Sequence, residues 1–314
     1  MSGVLQILLV IGLGIFWGAS PAVNKALGLA GVPVADIVVA AGIGVGLGLM
    51  ALRWMGGSRT RLSRAELMYG LGCGILTNIP FVVALYSIRH VPVALQAVIT
   101  STSPLWTYAL AFVLGRETFN ISRLAALALG LASSLAVVLT RPGATLGGVA
   151  DWWVLATLTL PLLYAVYNNF AAMAWPAKMN ALTGGMVESF AAGLLGVLLY
   201  AITGPRAEPG QALQAIGYLL LAAAVGMWVL ERLCFFNLVQ SFGPVTAVLA
   251  TYVATPAAVL LGVLFFAEQP DVWLLLSLGL LMAALWLNNR ATRPRTAPAL
   301  GPEATAHPAS EPRR

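Results

Sequence analysis

The sequence predicts an all-α membrane protein of ten transmembrane helices arranged as two inverted five-helix repeats. Three observations carry that expectation. First, 60% of the 314 residues are hydrophobic and only 9% are charged. Soluble domains carry roughly 25% charged residues, so the chain lacks the polar surface to cover a water-soluble globule. Second, apolar segments of about 20 residues, enough to cross a bilayer core, follow one another with short loops between them. Third, one long segment occurs twice.

The first copy is Val91–Phe119, VPVALQAVITSTSPLWTYALAFVLGRETF, with Pro104 in the middle of an apolar helix and Glu117 closing it. The second is Gly243–Gln269, GPVTAVLATYVATPAAVLLGVLFFAEQ, with Pro256 and Glu268 in the same places. Pro92 precedes Pro104 by 12 residues, and Pro244 precedes Pro256 by 12; Glu117 follows its proline by 13 and Glu268 by 12. A repeat of about 150 residues in a hydrophobic chain is the mark of two half-transporters facing each other.

The spans fall at roughly 4–24, 33–54, 66–88, 92–114, 120–140, 151–173, 180–203, 212–238, 244–266 and 271–289. In lipid every backbone polar group must be paired within the protein, so helices are the expected spanning element. The first span has no Lys or Arg ahead of it and reads as a retained helix rather than a cleaved signal peptide. Ten spans put both termini on one side. That side receives Arg53, Arg59, Arg61, Arg64, Arg116, Arg123, Lys178, Arg290, Arg293, Arg295, Arg313 and Arg314, and the other receives Lys25, Arg89, Arg141 and Arg206. Twelve against four places both termini in the cytoplasm. Five helices per half is an odd number, so the halves, 1–141 and 150–290, are inverted, the arrangement that permits alternating access. Residues 291–314, rich in Pro, Ala and charge, read as a disordered cytoplasmic tail that either binds a partner or is a solvated end.

Composition narrows the function classes. The net charge of +6 belongs to loops and tail, so no nucleic-acid groove is expected. Cys73 and Cys234 lie singly in apolar spans and form no disulfide framework. His90 and His307 cannot make a metal site between them, and neither a metal nor another cofactor is expected. Intramembrane hydrolysis would need a His cluster, paired aspartates or a Ser–His pair. No His lies inside a span, and Asp36 is the only aspartate even plausibly within one.

Phe16–Trp17–Gly18 near the middle of the first span, and a proline helix ending in Gly115–Arg116–Glu117, resemble the drug/metabolite transporter superfamily, and within it the EamA-type exporters. Each Pro-to-Glu segment is followed by a glycine-centred helix, at Gly130 and Gly279, as in that family. The likeness covers about 1–290. The second copy departs from the pattern, with Ala267–Glu268 lacking the preceding glycine. The resemblance implies a central cavity between spans 1–4 and 6–9, spans 5 and 10 as outer supports, and export of small metabolites, amino acids among them, across the bacterial inner membrane.

Several residues are expected to line that path. Gln96, Thr100, Ser103 and Thr107 are spaced 4, 3 and 4, which puts a polar stripe on one face of span 4. The copy on span 9 reads Val248, Tyr252, Thr255 and Val259, so the two halves differ in chemistry. Such a stripe either lines a cavity or bonds a neighbouring helix. Pro104 and Pro256 each free a carbonyl, making either a static kink or a hinge. Trp17, Ser20 and Asn24 share a face of span 1, with Asn24 alternatively a cap; Tyr164 and Asn168 share one on span 6. Charges inside spans are functional candidates by default. Adjacent residues on a helix point about 100° apart, so Arg232 is expected to pair with Glu188 while Glu231, one turn from Trp228, meets a substrate cation or a proton. A structural triad is the other reading. Asn78 is the approximate counterpart of Glu231 in the first half. Glu117 and Glu268 are expected to cap the helices that follow them. Gly42, Gly44, Gly46 and Gly48 provide close helix packing, within the chain or in a homodimer. The expected function is export of small organic metabolites, amino acids or related amphipathic compounds first. Drug or purine efflux in the same fold, a channel, a scaffold or a membrane enzyme are the alternatives. The expected partners are a small-molecule substrate and the lipid bilayer, and coupling to protons is open.

Overall fold

The computed structural model describes residues 3–57, 61–139, 149–176, 179–203, 211–242, 247 and 250–292. The expectations resting on Arg59, Arg141, Lys178, Arg206, Pro244, Val248 and residues 293–314 lie outside them. Among the described residues the chain forms twelve α-helices and one π-helical turn, with no strand. They are α1 (Gly3–Leu29), α2 (Val34–Val39), the π turn Ala40–Gly44, α3 (Val45–Met55), α4 (Arg64–Ser87), α5 (Val93–Thr100) and α6 (Ser103–Val113). Then follow α7 (Ile121–Leu139), α8 (Val149–Met173), α9 (Ala181–Thr203), α10 (Gln211–Phe242), α11 (Thr251–Phe266) and α12 (Val272–Thr292).

Among the described residues six stretches are long and apolar enough to cross a membrane, and 121–136, 251–266 and 272–288 are shorter apolar helices. Exposed Ile7, Ile15, Leu194, Leu198 and Leu264 lie along their outer faces. This is a multi-pass membrane protein. Three expectations need correction. Span 4 is not one helix: it breaks at Ser101–Thr102, between α5 and α6. Helix α1 continues to Leu29, so Asn24 lies inside it and is no cap. Helix α12 reaches Thr292, so the tail cannot begin at 291.

The caps also differ from those expected. Asn120 Oδ1 accepts from the N–H groups of Ser122 and Arg123 (2.9 and 3.3 Å) at the start of α7, and Asp271 Oδ1 accepts from Leu274 N (2.7 Å) at the start of α12. Glu117 and Glu268 are therefore not needed there. Glu117 pairs with Arg123 at 2.9 Å, whose guanidinium lies over the Tyr108 ring.

Packing runs across the two halves more than within them. Helix α1 packs on α11, α4 on α8 and α9, α6 on α8, and α7 on α12. Helices α7 and α12 lie mainly against each other and rest on α5, α6 and α11. Close approach depends on small residues. A methyl group added at Gly42 would strike the backbone of Gly193, and one at Gly193 would strike that of Ile43. Gly46 meets the Phe190 ring on α9, while Gly44 and Gly48 meet Val225 and Val229 on α10. The glycine series is thus consumed inside the protomer, which removes it as a dimer face.

This contact yields a stability test. Gly193→Leu forces α9 away from the π turn, and overpacking of this kind costs about 1–3 kcal/mol. A fall of several degrees in the thermal midpoint of the detergent-solubilised protein is expected. Gly279→Leu, at a position with no atom within 4 Å of an added Cβ, is expected to leave the midpoint unchanged.

Candidate functional site

The charges inside the spans, Glu188, Glu231 and Arg232, sit where α1, α8, α9 and α10 meet. A carboxylate with no exposure needs every lone pair spoken for, because hydrocarbon supplies no donors. Glu188 on α9 is 0% exposed. Its Oε1 accepts from Arg232 Nη1 at 2.6 Å and its Oε2 from the Tyr167 hydroxyl at 2.9 Å. Arg232 is thereby committed to α9. One residue earlier on α10, Glu231 points to the other side and accepts from Trp17 Nε1 at 3.1 Å. Trp17 also lies against Phe235, with ring centroids 5.9 Å apart. The geometry separates two roles on adjacent residues: Arg232 is paired in packing, and Glu231 faces α1, where among the described residues its one hydrogen-bond donor is the Trp17 indole.

The second element is the break in span 4. Pro104 has no N–H, so the Thr100 carbonyl loses its helical donor and accepts instead from Ser103 Oγ at 2.5 Å. Thr102 N turns back to Ile99 O at 3.1 Å. The break brings Ser101 Oγ to 2.5 Å from Thr255 Oγ1 on α11, joining the two halves at their repeated segments. Ser101 falls outside the expected stripe. Its neighbour Thr100 lies on the stripe, and only the break turns the Ser101 hydroxyl toward α11. The symmetric partner behaves differently. Helix α11 runs unbroken through Pro256, whose ring is exposed on the same edge as Leu260 and Leu264. Among the described residues the two prolines are therefore unequal: Pro104 follows the break directly, and Pro256 lies inside α11, five residues after its start at Thr251.

The remaining expected residues sort by what they touch. Gln96 is buried and donates to Ala84 O (3.0 Å) and Ser87 Oγ (2.9 Å), tying α5 to α4. Asn78 is buried and donates to Ala192 O (3.2 Å), tying α4 to α9. Trp228 is buried edge-on to Phe81. These three are held in helix packing and do not join the Trp17–Glu231 pair. Asn168 Nδ2 donates to Thr107 Oγ1 at 3.2 Å, and the adjacent Asn169, missed in the sequence because it lies off the Tyr164–Asn168 face, donates to Thr107 O at 3.1 Å. Ser103, like Thr255, is spent on its own helix turn and the break. Trp17, Ser20, Tyr164 and Tyr252 are half-buried. The Oγ1 of Thr100 and the hydroxyl of Tyr252 are buried atoms without a hydrogen-bond partner. So is Oδ1 of Asn24. A shallow cleft beside this region is lined by Leu49, Gly185, Phe236 and Arg232, so it opens on Arg232 rather than on Glu231.

No group of His, Cys, Asp and Glu able to hold a metal ion occurs among the described residues.

Removing one member of a buried ion pair strands the other and costs about 3–5 kcal/mol, whereas replacing both with apolar groups is often neutral. Arg232→Met alone is expected to lower the thermal midpoint sharply. The double variant Arg232→Met, Glu188→Met is expected to recover most of the loss, read from unfolding curves in detergent.

The sequence matches the family model of the EamA-like transporter family twice, over residues 4–139 and 151–290. A solved structure titled "Crystal structure of protein" superposes with a TM-score of 0.61 at 17% identity, covering 91% of this chain and 96% of that one. Among curated proteins no match is found.

Proposed function

The chain belongs to the EamA-like transporter family, a family of membrane transporters and not of enzymes, and on that premise we propose that it exports small amphipathic metabolites, amino acids first, by alternating access. The observation that carries this reading is the Trp17–Glu231 pair. A carboxylate that among the described residues accepts from one indole N–H, beside an ion pair that turns Arg232 Nη1 toward Glu188, suits the ammonium group of a zwitterion or a proton. The unpartnered hydroxyls of Thr100 and Tyr252 supply polar contacts for the rest of the molecule. Tyr164 and the Trp17 ring offer the aromatic surface that an amphipathic side chain needs, and Ser20 a further hydroxyl. The break at Ser101–Thr102 lies within the same repeated pair of segments, and broken helices near the midplane are a recurring way to build a substrate site. In this reading Pro104 marks a hinge and Pro256 a passive bend. The protein resides in the bacterial inner membrane with both termini in the cytoplasm, an orientation supported by the twelve-to-four excess of Lys and Arg on that side.

The test is a flux assay in liposomes over a panel of amino acids, purines and cationic drugs, with and without a pH gradient. Saturable flux of amino acids is expected. Glu231→Gln is expected to lower that flux at least about tenfold, the loss of roughly 1.4 kcal/mol of differential binding, and to abolish any stimulation by the gradient. Wild-type flux confined to purines or drugs would reassign the substrate, and unchanged flux in Glu231→Gln would remove Glu231 from the path.

A further inference from the structure

The carboxylate of Glu268, at the bundle end where α11 finishes, is bonded to a lysine and to two backbone N–H groups of the other repeat, and the transport reading leaves it unused. Its Oε1 is 2.8 Å from Lys25 Nζ on α1 and accepts from Val93 N at 2.7 Å. Its Oε2 accepts from Ala94 N at 3.1 Å. Val93 and Ala94 are the first two residues of α5, whose leading N–H groups have no partner within the helix. Pro92, the cap residue, gives no side-chain bond. A carboxylate from the second repeat thus caps a helix of the first, and a lysine from α1 seals the contact. Lys25 Nζ also reaches Val91 O at 3.5 Å and lies over the Phe266 ring at 5.0 Å.

The local backbone is shaped for this reach. Ala267 ends α11 in the left-handed region, at φ 50°, and Glu268 N folds back to Gly262 O at 3.2 Å. Gly262 leaves the space that the carboxylate fills, since a Cβ there would lie 2.5 Å from Glu268 Oε2. The corresponding turn of the first repeat is built otherwise. Gly115 takes the left-handed position at φ 69°, Arg116 N bonds Ala111 O at 2.9 Å, and Glu117 is left half-exposed on Arg123 of its own repeat. The one-residue difference between the copies is therefore the difference between a carboxylate that crosses the repeat boundary and one that does not.

We infer that Glu268, with Lys25 and the α5 N-terminus, is a latch that holds the two repeats together at this end of the bundle and must release before the path can open there. The inference deepens the alternating-access reading by assigning one of its closures to named atoms. It differs from a merely structural cap because the three groups it joins lie on α1, α5 and α11, in both repeats. Two turns below it, Ser101 touches Thr255, so α5 and α11 stay in contact from the latch to the break.

Thiol accessibility tests this without any substrate. With Cys73 and Cys234 replaced by Ala, Ser101→Cys becomes a reporter below the latch. A membrane-impermeant thiol reagent is applied to right-side-out and to inverted vesicles. Glu268→Gln and Gly262→Val, which weaken the same contact by removing charge and by displacing the carboxylate, are each expected to raise labelling from the latch side about tenfold. Such a rise is a population shift of roughly 1.4 kcal/mol toward the open state. Labelling from the opposite side is expected to stay the same or fall. Lys25→Met, which keeps both N–H bonds, is expected to give a smaller rise in the same direction. No rise in either Glu268→Gln or Gly262→Val, or an equal rise from both sides, overturns the latch. Because no flux is measured, a failed amino-acid assay with directional labelling discards the substrate and keeps the latch. Normal flux with no change in labelling does the reverse.

Discussion

Hydrocarbon offers no hydrogen-bond partner, and each polar group this chain carries inside the bilayer has to be answered by the chain itself. Most of the architecture follows from how those answers are found. Glu188 is matched by Arg232 and Tyr167, which draws α8, α9 and α10 into one cluster. Asn78 and Gln96 each spend an amide on a neighbouring helix carbonyl, clamping α4 to α9 and to α5. The carbonyl freed by Pro104 is answered by Ser103 from the following turn. Among the buried atoms left without a partner, the hydroxyls of Thr100 and Tyr252 lie one on each repeated segment, which is why those segments enter the candidate site beside the Trp17–Glu231 pair.

Backbone satisfaction explains spacing as well as contact. Helices can approach closely only where side chains vanish, so Gly42 and Gly193 sit backbone to backbone while Gly44, Gly46 and Gly48 receive Val225, Phe190 and Val229. The π turn at Ala40–Gly44 lies at this contact. It keeps both α2 and α3 buried against α9 although the apolar residues of the span do not hold a single helical phase.

How much of this was legible beforehand depended on whether the signal was local or relational. The membrane class, the duplication and the Glu188–Arg232 pairing were legible, because composition, a repeated proline–glutamate spacing and depth along two helices each carry the information in sequence. The roles of Gln96, Asn78 and Trp228 were not. A polar or aromatic residue inside a span has the same spacing whether it meets a cavity or another helix, and only the packing of α4 against α5 and α9 decides between them. The break before Pro104, against the smooth passage of α11 through Pro256, was equally hidden. A proline removes the same N–H in both places; Ser103 donates to the Thr100 carbonyl that Pro104 frees, whereas its counterpart Thr255 donates to Thr251 O and the Pro256 ring faces outward. Glu268 was misjudged for a related reason: a carboxylate at a helix end reads as a cap, but the helix it caps is far away in sequence, and the nearer start is served by Asp271.

The left-handed Ala267 carries a further consequence. Residues with a Cβ occupy that region at a cost of about 1–2 kcal/mol, a cost that the glycine of the first repeat does not bear. The strain persists only while the bonds to Glu268 outweigh it, so the turn behaves as a compressed spring beneath a clasp. On release of the proposed latch, relaxation of Ala267 would return part of the energy lost with the ion pair and the helix cap. In the alternating-access cycle proposed above, a closed end built in this way would be secure without being a deep energetic well, so that neither closed state becomes a trap.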